Sequence, residues 1–107
     1  MTKRDELLAL AERCEKADKG SFALECAIAE AVGALATPPR NYTVSLDAAL
    51  ELVPIGHDWS LFFDNSAALA GCMPASEDGC DMTDVPGSTP ALALCAAALR
   101  AQAEMES

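Results

Sequence analysis

The chain has a single histidine, His57, and few aromatic residues: Trp59, Tyr42 and three phenylalanines, 5% of its 107 positions. Nucleophilic catalysis needs a base beside the nucleophile, and one histidine leaves little to build it from. Alanine dominates the apolar half of the composition, so the expected core is thin, made of closely packed helices and free of large cavities. Basic residues nearly vanish after position 40, where Arg100 stands alone. No cluster of Lys and Arg is interleaved with aromatics, which removes the usual support for single-strand binding. Gly71, Gly79 and Gly87 stand singly, so neither the dinucleotide glycine fingerprint nor a P-loop is present.

Cysteine is present but lacks metal spacing. Cys14, Cys26, Cys72, Cys80 and Cys95 are odd in number and form no CxxC, and with one histidine a structural zinc is not expected. Cys14, Cys26 and Cys95 fall on apolar helical faces and read as small buried hydrophobes. Cys72 and Cys80 flank an acidic stretch and are near enough in sequence to pair on oxidation. The N-terminal twenty residues contain no continuous apolar core of a signal peptide. The longest uncharged apolar run, Pro90 to Leu99, is about half of what a bilayer-spanning helix needs. A cytoplasmic protein with no membrane partner is expected, in one domain.

What the sequence does have is negative charge, unevenly placed. The net charge is −10. Residues 1–40 hold six Lys/Arg against seven Asp/Glu, whereas residues 41–107 hold Arg100 against ten acids. Such a field repels phosphate backbones and attracts basic surfaces, so direct nucleic-acid binding is disfavoured and a basic protein partner is favoured. The densest cluster is "SEDGCDMTD", residues 76–84, with Glu77, Asp78, Asp81 and Asp84. Its oxygens suit calcium better than zinc, but the spacing misses the EF-hand pattern, and no cofactor or metal is expected.

The periodicity orders the elements. Thr2 caps a helix with Leu7, Leu10, Ala11 and Cys14 on one stripe, stopped at Gly20. Ser21 starts a second, with Leu24, Ala27, Ile28 and Ala31, ended by Gly33. Pro38 and Pro39 make residues 36–41 a connector. Tyr42 to Val44 reads as a strand, and Ser45 caps a short helix carrying Leu46, Ala49, Leu50 and Val53. From His57 to Phe63 the pattern alternates, with His57, Trp59, Leu61 and Phe63 toward the core and Asp58, Ser60, Phe62 and Asp64 outward. Asp64-Asn65 turns the chain into a second strand from Ser66 to Met73. Gly87 to Pro90 opens a last helix, with Leu92, Cys95, Ala96, Leu99 and Ala103 buried. The expected fold is α+β in the order α-α-β-α-β-β-α, a small, mostly antiparallel sheet of about three strands with helices packed on it.

"YTVSLDAALELVP" at 42–54, "DWSL" at 58–61 and "TPALALCAAALRAQAE" at 89–104 resemble the phage ABA sandwich domain family, small proteins of bacteriophages and proteobacterial prophages. The opening "ELLALAERCEKADKGSFALECAIAEAVG" is similar to the family's N-terminal region. The resemblance covers about three quarters of the chain and implies an α/β/α sandwich and a phage source. It implies no reaction and transfers no catalytic residue. The acidic loop "PASEDGCDMTDVPGS" lies outside it.

A small phage-like acidic domain without a recognisable active site is expected to be non-enzymatic and to occupy a host protein's surface. The leading expectation is a protein-binding, anti-CRISPR-like inhibitor of bacterial immunity, acting in the cytoplasm of the host. Its partner would be a host defence protein with a basic nucleic-acid-binding site, such as a CRISPR effector subunit. Glu77, Asp78, Asp81 and Asp84 of the loop, with Asp58, Phe62 and Asp64 of the strand face, form the candidate partner-binding surface. The alternatives are an accessory phage domain that self-associates, as a homodimer, through a strand edge or its helices, and a binder of a small signalling nucleotide using Arg40, Arg100 and helix N-termini.

Overall fold

A computed structural model describes residues 3–32, 41–53, 56–63, 68–74 and 85–105. Within them are helices α1 (Lys3–Lys16), α2 (Phe22–Val32), α3 (Leu46–Leu50) and α4 (Pro90–Met105). The strands are β1 (His57–Phe63), β2 (Ala68–Pro74) and β3 (Val85–Gly87), in one antiparallel sheet of order β1-β2-β3. The fold is α+β, as the periodicity indicates, with the order α-α-α-β-β-β-α.

The altered order traces to two segments. Tyr42 to Val44, expected as a strand, forms a turn in which Val44 and Ser45 donate to the Asn41 carbonyl at 3.1 and 2.9 Å. Its polar groups are spent on helices instead of a ladder. The Thr43 N–H and hydroxyl both donate to the Glu25 carboxylate, at 3.2 and 2.7 Å, and the Tyr42 carbonyl accepts from the Cys95 thiol at 3.1 Å. The third strand is Val85–Gly87, at the end of the stretch expected to be an acidic loop. β2 is described from Ala68 to Pro74, and the expected start at Ser66 and Ala67, with the Asp64-Asn65 turn, lies outside the described residues.

α4 is the centre of the molecule. Thr89 caps it, its hydroxyl accepting from the Leu92 N–H at 3.2 Å, and Pro90 occupies the first turn, where a missing N–H costs nothing. Every residue from Ala91 to Leu99 is buried. A helix apolar on all sides must be enclosed on all sides. All three strands lie against α4, and α1 and α3 pack on it as well. Among the described residues α2 and α3 touch no strand, whereas α1 reaches β3 as well as α4, so α4 separates the sheet from α2 and α3. Alanine permits that close stacking. Gly87 shows how tight it is: a Cβ there would lie 2.5 Å from the Ala93 nitrogen, so β3 meets α4 where a side chain has no room.

Polar contacts fix the outer helices to this frame. Arg100 of α4 grips Glu15 of α1, with Nε donating at 2.7 Å and Nη2 at 2.6 Å to the same oxygen. Gln102 donates to the Leu52 carbonyl just beyond α3, at 2.6 Å. α2 is tied to the 41–45 turn through Glu25 and through Ser21, whose N–H donates to the Thr43 hydroxyl at 3.0 Å. No helix among the described residues is long and apolar enough to cross a membrane.

Candidate partner-binding face

One side of the sheet is used by the core. The one-to-one antiparallel register sets Leu61 beside Ala70 and Ala70 beside Val85. Ala70 and Val85 are buried, and Leu61 packs against the same cluster. Side chains alternate along a strand, so the neighbouring row, Phe62 beside Leu69 beside Pro86, must point the other way. On that side Asp58, Ser60, Phe62 and Pro86 are exposed and Leu69 is half-buried.

Phe62 is 63% exposed. It is the outermost member of an apolar row crossing all three strands, four residues from Asp58, or roughly 13 Å along the strand. The arrangement offers a ring for an apolar pocket with a carboxylate at its flank. Both Asp58 and Phe62 were legible as outward residues from alternation alone. Leu69 and Pro86, which complete the row, were missed because their place depends on the β2–β3 register. Glu77, Asp78, Asp81, Asp84 and Asp64 lie outside the described residues.

Trp59 and His57 stand on the row expected to face the core. Trp59 is 43% exposed, and His57 is half-buried with its Nδ1 enclosed and without a partner among the described residues. They lie toward the start of β1, away from the Leu61 row that the core covers. Cys72, opposite Trp59, has its thiol pushed up to about 11 by burial and by the nearby Asp58 charge. Cys95 is raised further by its contact with the Cys14 thiol, by burial, and by Cys14 and Glu25 charges. Both thiols are thus held protonated at neutral pH, the opposite of what an activated nucleophile requires.

Cys14 and Cys95 are buried as expected, whereas Cys26 is only half-buried. Cys80, the suggested oxidation partner of Cys72, lies outside the described residues. Among the described residues no group of three His, Cys, Asp or Glu is arranged to hold a metal. Arg100, one of two arginines on which an anion pocket would draw, is held by Glu15, and Arg40 is outside the described residues. Comparison with protein-family models, curated proteins and solved structures finds no match.

Proposed function

We propose that this chain is a protein-binding module that acts without catalysis, presenting the open face of its sheet and an excess of negative charge to a basic partner. The observation that carries the reading is the exposure of Phe62 in the row Phe62–Leu69–Pro86 beside the exposed Asp58. Isolated exposed apolar side chains are ordinary; a row continuous across three strands is a surface to be covered. Charge selects what covers it. Beyond residue 41 the sequence carries ten acids and one base, Arg100, and that base is engaged by Glu15. A Lys/Arg-lined channel built for nucleic acid supplies both the matching field and the value of occupying it.

With the motif resemblance to phage ABA sandwich proteins, this makes the chain a phage or prophage inhibitor of bacterial immunity, anti-CRISPR-like in mode, working in the host cytoplasm. Glu77, Asp78, Asp81, Asp84 and Asp64 extend the acidic surface in this reading. The test is affinity capture from a bacterium carrying defence systems, followed by binding measurements on the retained partner over a range of salt. Phe62→Ala is expected to weaken binding at least tenfold, mainly through faster dissociation, as truncating a central ring does. Asp58→Lys is expected to slow association and flatten its salt dependence. Capture of no basic partner, or wild-type affinity in both variants, overturns the reading.

A further inference from the structure

We infer that β1 is a strand-pairing edge whose occupant is a second copy of this chain, joined about a twofold axis at Ser60 into a continuous six-stranded sheet. Among the described residues the order β1-β2-β3 leaves two edges, and they are not alike. β3 is only three residues long and has Pro86 at its middle, two of the devices by which edges avoid pairing. β1 has none of them. It runs seven residues in unbroken register with β2, without a bulge, proline or lysine, and Asp58 is its one acidic side chain. Exposed aromatic rings stand on both faces of this edge, Phe62 on the open face and Trp59 on the other.

The sequence of β1 is compatible with its own antiparallel copy. A twofold axis normal to the sheet keeps each side chain on its own face, so residues of equal parity must meet. Centred on Ser60, all seven residues overlap: Trp59 meets Leu61 of the second copy, Asp58 meets Phe62, and Ser60 meets itself. No like charges face each other, because the two Asp58 side chains are separated by four positions, roughly 13 Å. Moving the centre to Leu61 shortens the overlap and leaves His57 and Asp58 without a partner in β1 of the second copy. Pro86 also bears on which backbone groups are available. Lacking an N–H, it fits the non-hydrogen-bonded row with Leu69, which pairs Ser60 with Gly71 inside the sheet and turns the Trp59 and Leu61 backbones outward. Ser60 then meets its copy in a close, non-hydrogen-bonded pair, with Cα atoms about 4.5 Å apart.

Two copies bring together net charges of −10 each. Salt therefore strengthens this pairing, whereas it weakens attraction to a basic partner, so the two proposals stand or fall separately. Sedimentation velocity from low to high micromolar concentration, at low and high salt, tests it. The expected result is a mass rising toward twice 11.1 kDa, at lower concentration in high salt. Ser60→Lys, which sets two ammonium groups on the axis, is expected to stay monomeric with an unchanged circular dichroism spectrum. Ser60→Cys under mild oxidation by copper-phenanthroline is expected to give a covalent dimer that wild type under the same oxidant does not. A wild-type chain that is monomeric at high micromolar concentration in both salts overturns the proposal, as does a Ser60→Cys chain that fails to cross-link beyond wild type.

Discussion

Glu25 is a buried carboxylate, 6% exposed, that accepts from both the N–H and the hydroxyl of Thr43. A buried charge needs donors to replace water. Thr43→Val keeps the shape but removes the hydroxyl that donates at 2.7 Å and accepts from Ser21. The expected loss is about 1.5–3 kcal/mol, the range for hydrogen bonds to charged groups, measured by urea unfolding; Thr43→Ser should recover most of it. Cys72 supplies a pH signature. Its folded value of about 11 lies above its ordinary 9.0, so folding favours the neutral thiol. The associated stability is complete below pH 9 and is lost as pH rises from 9 toward 11, because the unfolded chain ionises first. Cys72→Ser is expected to flatten that part of the stability profile in pH-dependent thermal melts. At this scale the sequence was informative where a residue's role is local, as for the buried Cys14 or Pro90 at the start of α4, and silent where it is not. Thr43 carries no mark that its hydroxyl will meet a carboxylate from 18 positions earlier.

Elements were legible in proportion to how far their own period decides them. α1 and α4 carry stripes long enough to fix their type, and β1 alternates along most of its length. Tyr42–Val44 has good strand propensity, yet tertiary capture by Glu25 and Cys95 outweighs it. β3 is three residues with a central proline, too short for any period, and exists because β2 supplies its ladder and α4 its cover. The start of α4 matters beyond its own turn, since the helix touches all three strands, α1 and α3. Thr89→Ala is expected to cost about 1 kcal/mol and to lower the melting midpoint of the whole domain in one cooperative transition. A separate low-temperature phase confined to helical signal would contradict the central place of α4.

At the scale of the molecule, charge and packing pull apart. A net charge of −10 on a chain of 107 residues opposes compaction, because like charges repel across distances comparable to the screening length. Raising the ionic strength is therefore expected to raise the melting temperature of the isolated protein, measured by calorimetry, while weakening its association with a basic partner. A melting temperature indifferent to salt would place the acids too far apart for self-repulsion to matter.

The enclosed position of α4 also has a consequence in time. It is the last of the described elements in chain order, and contacts such as Arg100 with Glu15 span 85 positions. The sheet and α1 to α3 leave the ribosome before the helix that joins them. At synthesis rates of about 5–20 residues per second, they wait on the order of seconds with their apolar faces unfilled. Nascent chains arrested before Pro90 should accordingly remain open to proteolysis, and protection should arrive abruptly once α4 has cleared the exit tunnel.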